Sequence, residues 1–200
     1  MTDWTSLSYA VADVEGNGQQ PPDLVELAIL PITDGAIGEP VTWLVRPPRP
    51  IRRFATSIHG ISAKDVVGAP PFTEIEHEVR RALTGRAVIA HNAHVDVGVL
   101  QRELAGWDFP EVFDTLKLAR ALLPGRPSYS LGALVEALSL GGGMPPGLAP
   151  HRAAYDVIVT ARLFARLATR HDGSPLSLRE LRSHSGQHEP GDADETAPLF

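Results

Sequence analysis

Four acidic residues and one histidine are the residues of this sequence best suited to catalysis. Asp13 and Glu15 end an apolar segment, Asp96 follows a second one, and His151 and Asp156 open a third. Oxygen ligands of this kind are those that Mg²⁺ and Mn²⁺ prefer. A pair of such ions can stabilise the attacking and leaving oxygens of a phosphodiester hydrolysis, while a neutral histidine accepts the proton of the attacking water. The set therefore predicts two-metal hydrolysis, provided that the fold gathers it.

Each of these residues has a simpler explanation when it is taken alone. Asp13 and Glu15 would lie on the same face of a strand, where like charges repel unless a cation or a proton intervenes. The alternative is that the strand has already run out into solvent. Asp96 equally suits an acid placed near a helix N-terminus, and His151 and Asp156 could be ordinary surface residues of a helix start. Only the ordered combination favours a common site.

The segments that must position these residues alternate between strand and helix patterns. Strands are predicted at 7–14, 24–32, 40–46, 87–90 and 113–114, with the second and third joined as a hairpin. Helices are predicted at 71–83, 94–104, 115–122, 131–138 and 155–170. A Pro- and Arg-rich connection is expected at 47–54. This order predicts an α/β fold, a mixed sheet flanked by helices.

Composition limits the class of protein. The chain has 200 residues, 18 basic and 24 acidic residues, and no cysteine. We expect one domain over 1–172 and a flexible tail over 173–200, because 184–200 is rich in Gly, Pro, Asp and Glu. The lack of cysteine fits a cytoplasmic protein, and neither a signal peptide nor a membrane span is expected. A net charge of -6 argues against a stoichiometric coat on duplex nucleic acid but permits an enzyme that holds a short strand.

Three motifs resemble those of the DEDDh-type 3′→5′ exonucleases, the family of the proofreading (epsilon) subunit of bacterial replicative DNA polymerase. Asp13-Val14-Glu15 resembles the first motif, the segment from His91 to Asp96 the second, and the segment from His151 to Asp156 the third. Three shorter segments also resemble the family, at 58–61, 113–116 and 129–131.

The resemblance implies an RNase H-like three-layer fold with a mixed, mostly five-stranded sheet. It also implies Mg²⁺ or Mn²⁺, two per site, held by Asp13, Glu15, Asp96 and Asp156, with His151 as general base. A sister group has tyrosine four residues before the last acid, where this sequence has Arg152. The implied reaction removes nucleotides from the 3′ end of single-stranded or frayed DNA and releases nucleoside 5′-monophosphates.

Substrate contacts are expected close to the first and second motifs. Most relatives have Thr-Thr-Gly after the first motif, where this chain has Gly16-Asn17-Gly18. The glycines predict a looser loop that a nucleotide backbone could approach closely, and Asn17 could hydrogen-bond a sugar or base. The full set of expected substrate-binding residues is Gly16, Asn17, Gly18, His59, His91 and Asn92.

The substrate and the partners remain open at the level of sequence. Nucleic acid 3′ ends are the expected partner, with DNA favoured over RNA. An RNA-trimming, oligoribonuclease-like enzyme and a catalytically silent binding module of the same fold are the alternatives. Four arginines between Arg46 and Arg53 could guide a strand, although a solvated loop is the simpler explanation. The Leu199-Phe200 ending faintly resembles peptides that bind the sliding clamp, so a clamp or a replicative polymerase is a further candidate partner.

Overall fold

The computed structural model describes residues 2–185, which form a three-layer α/β/α structure. Its sheet has the strand order β3-β2-β1-β5-β6, and β4 pairs with β2. The strands are β1 (Tyr9–Gly16), β2 (Leu24–Thr33), β3 (Ala36–Ile37), β4 (Val41–Leu44), β5 (Ala87–Ala90) and β6 (Val112–Asp114). β1 lies antiparallel to β2 and parallel to β5, and β5 is parallel to β6. The sheet is therefore mixed, as the sequence predicted, and it has six strands instead of the expected five because the two-residue β3 also pairs with β2.

Alternating side chains of β1 supply two separate hydrophobic cores. Tyr9 and Val11 pack into one cluster, while Ala10 and Ala12 pack into the other. Since successive side chains of a strand point to opposite faces, the apolar first half of β1 requires a helical layer on each side. The residues around Asp13 therefore emerge from the centre of the molecule.

Helices cover both faces of the sheet. They are α1 (Arg53–His59), α2 (Phe72–Leu83), α3 (His94–Glu103), α4 (Thr115–Leu122), α5 (Leu131–Ala137), α6 (Ala153–Leu167) and α7 (Leu178–Ser185). Buried residues of α2 and α3 join the core of Ala10 and Ala12. Buried residues of α4, α5, α6 and α7 join the opposite core, where α6 packs on β1 and β2. No helix within residues 2–185 is long and apolar enough to cross a membrane.

Two predicted boundaries are wrong, one at the connection before α1 and one at the end of the domain. The last two residues of the connection expected at 47–54 belong to α1, which has no side-chain cap at its N-terminus and exposes Phe54 and Ile58 on its surface. Only Ala55 and His59 are buried in α1, so its apolar residues do not show the periodicity of a core helix. The Gly60 that follows, at φ 77°, is the usual left-handed end of a helix and was the available signal.

The folded domain also extends beyond the predicted boundary at 172. Leu178 and Leu181 of α7 are buried in the core of α4 and α6. Two ion pairs hold this segment, Arg182 Nε to Glu111 Oε1 at 2.6 Å and Arg170 Nη2 to Glu180 Oε1 at 2.5 Å. Residues 173–185 therefore belong to the domain, and the rest of the predicted tail, 186–200, lies outside the described residues.

Candidate active site

The carboxyl ends of three parallel strands meet at one edge of the sheet. β1 ends with Asp13 and Glu15, β5 is followed by the helix that carries Asp96, and β6 ends at Asp114. Ligands of open α/β sheets bind at this edge because loops and helix N-termini converge there. The predicted second motif thus comes next to the first because β5 pairs with β1.

Asp13, Glu15 and Asp156 form an acidic cluster whose candidate ligand atoms all lie within 4.8 Å of one another. Asp13 and Glu15 are two positions apart on β1, and α6 brings Asp156 from its first turn. The Oδ2 atom of Asp13 is buried and has no hydrogen-bond partner in the protein. A buried carboxylate oxygen without a partner is costly unless a cation or a proton satisfies it. The cluster could therefore hold a metal ion.

Asp96 lies in the first turn of α3 and joins this helix to β1. Its Oδ1 accepts a hydrogen bond from the backbone N–H of Val14 at 3.0 Å. Val14 stands between the two acids of the first motif, so the bond fixes their strand against α3. The side chain of Asp96 is buried, and its charge is one of the causes that raise the pKa of Asp13. Asp96 is therefore close enough to interact with the three acids of the cluster.

Burial and mutual repulsion raise the pKa of all four acids, Asp13, Glu15, Asp96 and Asp156. Desolvation is the largest cause for all four, and the charges of the neighbouring carboxylates add to it. The pKa of Glu15 rises from 4.5 to about 8 and that of Asp156 from 3.8 to about 6, while those of Asp13 and Asp96 are also raised. Such pKa shifts are typical of clustered carboxylates at cation-binding sites.

His151 lies just before α6, with an exposed side chain and a left-handed backbone at φ 62°. A positive φ is uncommon for a residue other than glycine and must be held by its surroundings. The nearby imidazole and the backbone of His151 partly oppose the rise in the pKa of Asp156 that burial causes. The structure thus brings the predicted base beside the acidic cluster.

Glu26 is a buried acid of this region that was not predicted from the sequence. It is the β2 residue directly opposite Glu15 on β1, and it is 2% exposed. Its two oxygens accept hydrogen bonds from Arg152 and from the backbone N–H of Ala153. The available signal was a lone acid inside the apolar run of β2, because such an acid needs a buried partner.

The prediction that Asn17 contacts a nucleotide is wrong. Asn17 is completely buried, and its amide binds Asp23 and the carbonyl oxygen of Arg49. Its Oδ1 accepts the backbone N–H groups of Gln19 and Asp23 at 3.1 and 2.9 Å. Because the side chain is fully occupied within the protein, it holds the loop in place instead of contacting a ligand.

The neighbouring glycines fit a tight loop, not the loose one that was predicted. A Cβ atom on Gly16 would lie 3.0 Å from the Cβ of Pro22, closer than ordinary packing permits. Gly18 has φ 76°, and a Cβ there would lie 3.1 Å from the Cβ of Ala55 in α1. This packing places α1 against the loop that follows Glu15. Contact between the loop backbone and a nucleotide stays a prediction.

His59 also holds this loop instead of lining an open groove, so its predicted role as a substrate contact is wrong. The side chain is 4% exposed. Its Nδ1 accepts the N–H of Ile61 at 3.0 Å, so Nε2 carries the proton and donates to the carbonyl oxygen of Gly16 at 3.2 Å. Desolvation lowers the pKa of His59, which favours this neutral form.

The two polar residues after β5 differ in their surroundings. Both ring nitrogens of His91 are engaged, with Thr115 Oγ1 at 2.9 Å and the carbonyl oxygen of Tyr129 at 3.0 Å. His91 therefore connects β5 to α4 and to the loop before α5. Asn92 has φ 66°, and its backbone N–H binds Asp114. Its side chain is partly exposed, and a nucleotide contact there stays a prediction.

An α/β/α fold with clustered carboxylates at the strand ends and a histidine beside them defines a nuclease of the RNase H-like class. The model of the RNase T exonuclease family matches residues 10–164, and the chain belongs to this exonuclease family. Membership of the family that the three motifs resembled is therefore confirmed.

Individual relatives agree with this family. The chain is 33% identical over 200 residues to the 3′-5′ exonuclease DinG of Bacillus subtilis (strain 168), covering 96% of this chain and 21% of the relative. It is 39% identical over 153 residues to exodeoxyribonuclease 10 of Escherichia coli (strain K12), covering 76% and 65%. The chain thus spans about a fifth of the first relative and 65% of the second.

A solved structure supports the same fold. Exonuclease X in complex with 5′ overhanging duplex DNA superimposes with a TM-score of 0.72 at 34% identity, covering 89% of this chain and 99% of that chain. The expected RNase H-like fold is therefore confirmed.

Proposed function

We propose that this domain is a metal-dependent 3′→5′ exonuclease that removes nucleotides from single-stranded or frayed 3′ ends of DNA. The observation that carries the proposal is the cluster of Asp13, Glu15 and Asp156 with His151 beside it. Within residues 2–185, none of the three acids forms an ion pair, and one of their buried oxygens has no partner. A silent binding module would gain nothing from carboxylates that repel one another in this way.

The residues divide the chemistry between them. Asp13, Glu15 and Asp156 offer oxygen ligands that suit two Mg²⁺ or Mn²⁺ ions, and Asp96 stands next to them. Divalent cations bound there would lower the pKa of the attacking water and stabilise charge on the scissile phosphate. His151, exposed at the rim of the cluster, accepts the proton of that water. Hydrolysis then leaves the phosphate on the released nucleoside 5′-monophosphate.

Exposed apolar side chains lie on the elements next to the cluster and are suited to hold the last nucleotides of a strand. Phe54 and Ile58, 70% and 43% exposed, are four residues apart on α1, which packs against the loop after Glu15. Val95, 46% exposed, directly precedes Asp96. Bases can stack on such side chains without regard to sequence. We assign these residues to the grip on the terminal nucleotides in place of Asn17 and His59.

DNA is the proposed substrate because two of the relatives are a deoxyribonuclease and an exonuclease solved in complex with DNA. Exodeoxyribonuclease 10 and the DNA complex of exonuclease X favour DNA over the oligoribonuclease-like alternative. A partnership with a replicative polymerase or a sliding clamp stays a prediction from the resemblance. The Leu199-Phe200 ending on which the clamp prediction depends lies outside the described residues.

The direct test is hydrolysis of labelled strands. Single-stranded DNA and RNA carrying a label at either end are incubated with Mg²⁺, Mn²⁺ or EDTA. We expect stepwise shortening from the 3′ end that requires a metal, is faster on DNA, and is lost in Asp13→Asn. The matched control is Glu136→Gln on α5, an exposed acid outside the cluster. Activity in EDTA, or full activity of Asp13→Asn, would refute the proposed mechanism, and faster hydrolysis of RNA would support the exoribonuclease alternative.

A further inference from the structure

Glu26 makes three hydrogen bonds to the segment that carries the proposed base. Its Oε1 accepts from Nη2 of Arg152 at 2.5 Å, and its Oε2 accepts from Nε of Arg152 at 3.1 Å. The same Oε2 accepts the backbone N–H of Ala153 at 3.0 Å. Both oxygens of this buried carboxylate are thus occupied. Glu26 therefore does not act as another metal ligand, although it faces Glu15 across the β1–β2 pair.

Arg152 and Ala153 are the two residues that directly follow His151. Arg152 is the N-cap of α6, but its side chain makes no capping bond to the helix. The side chain reaches across to β2 instead, in the parallel two-bond geometry in which a guanidinium fixes direction as well as charge. Arg152 and Ala153 are thus both hydrogen-bonded to Glu26 on β2. These bonds hold the left-handed backbone of His151 in place from its carboxyl side.

The surrounding hydrogen bonds extend this control to the cluster. The carbonyl oxygen of Arg152 accepts the N–H of Asp156 at 3.0 Å, and the backbone of His151 is close enough to the Asp156 carboxylate to lower its pKa. The base and the α6 acid therefore share one turn of chain, and the described side chain that ties this turn to the sheet through an ion pair is Arg152, bound to Glu26.

We infer that the Glu26–Arg152 ion pair is a positioning device that holds His151 over the acidic cluster. The inference rests on the proposed function, in which His151 accepts the proton of the attacking water. A displacement of about 1 Å can cost a reaction roughly a hundredfold in rate, so a base on an exposed turn requires a rigid support. In this role Glu26 and Arg152 act on the reaction through His151.

The test is Arg152→Lys, which keeps the charge but removes the two-bond geometry. The Arg152 side chain is 45% exposed, so this change is compatible with folding. We expect kcat on single-stranded DNA to fall by about tenfold to a hundredfold while KM changes by less than about threefold. The matched control is Arg162→Lys, because Arg162 is another arginine of α6 that holds a loop, at the carbonyl oxygens of Leu140 and Gly142. It should leave kcat unchanged.

A double-mutant cycle separates positioning from general stability. In a His151→Ala background, Arg152→Lys should lower kcat by less than about twofold, because there is no base left to position. If Arg152→Lys lowers kcat by the same factor with and without His151, the pair is merely structural and the inference is wrong.

A second measurement does not depend on activity. In NMR spectra of the metal-free protein, Arg152→Lys should shift or broaden the imidazole signals of His151, while those of His91, which is held by Thr115 and Tyr129, stay in place. Unchanged His151 signals would overturn the inference even in an active enzyme. If the wild-type protein shows no metal-dependent hydrolysis, the proposed function fails instead, and the NMR comparison still decides whether the ion pair orders His151.

Discussion

Replacing Glu15 by glutamine should stabilise the metal-free protein and weaken the binding of a divalent cation at the proposed metal site. The pKa of Glu15 is raised from 4.5 to about 8, by burial first and then by the charges of Asp156, Glu26 and Asp96. As the pH rises, the unfolded chain therefore loses this proton before the folded protein does. The free energy of unfolding falls between about pH 4.5 and pH 8. Glutamine keeps the shape of the side chain and carries no charge, so it removes this loss.

The size of the gain follows from the two pKa values. A tenfold difference in acidity corresponds to about 1.4 kcal/mol. With 4.5 and about 8 as the limits, the cost of ionising Glu15 is about 4 kcal/mol at pH 8 and about 1 kcal/mol at pH 5. Glu15 is partly exposed, so solvent screens part of the repulsion. We expect Glu15→Gln to gain about 2 kcal/mol at pH 8 and about 0.5 kcal/mol at pH 5.

Urea denaturation in EDTA at the two pH values measures this gain, with Glu136→Gln as the control. The exposed Glu136 should change the free energy of unfolding by less than about 0.5 kcal/mol at both pH values. Addition of Mn²⁺ should raise the stability of the wild type and have a smaller effect on Glu15→Gln, since only the native wild-type site binds the ion well. A variant that is less stable than the wild type at pH 8 in EDTA would refute the argument that the cluster is strained without a cation.

Three further predictions concern the loop, the strand grip and the last helix. Asn17→Ala should lower the free energy of unfolding by about 2 to 3 kcal/mol in urea, because its buried partners lose their hydrogen bonds; an unchanged midpoint would contradict the structural role. Phe54→Ala should raise KM for single-stranded DNA about tenfold at unchanged kcat. Steady-state kinetics measures this rise in KM, with Val41→Ala at another exposed apolar site as the control. An equal rise in KM in both variants would exclude a contact between Phe54 and the DNA strand. Leu181→Ala should cost about 2 to 4 kcal/mol because the side chain is fully buried. Thermal unfolding should show this loss and no change for the exposed Arg179→Ala, and equal melting temperatures would place α7 outside the cooperative domain.

The elements with strong local patterns were predictable. The fully apolar run of β5 and the helix that follows β6 have the predicted bounds, 87–90 and 115–122. The amphipathic pattern of α2 was equally clear, and its bounds differ from the prediction by one residue. The five proposed catalytic residues were chosen from their order along the chain, and the structure clusters three of them, with Asp96 and His151 adjacent.

The substrate-binding residues were harder to predict because a polar side chain near a motif can bind a ligand or support the loop. The sequence of the loop after Glu15 does not show that Asn17 faces inward, and nothing local to Arg152 shows its bond to Glu26, 126 positions away. Such roles depend on which residues meet across the fold, and the antiparallel register of β1 and β2 decides that Glu26 stands opposite Glu15.

Residue type, spacing and periodicity by themselves predicted the α/β class and the acidic set, and the resemblance of three ordered motifs indicated the family, because these depend on local pattern and on the order of motifs. Tertiary structure alone decided that Asn17 and His59 are supports, that α7 belongs to the domain, and that Glu26 holds the turn of His151. The physical reason is that burial and long-range hydrogen bonding set these roles, and both exist only after β1 has paired with β2 and α6 has packed on the two strands.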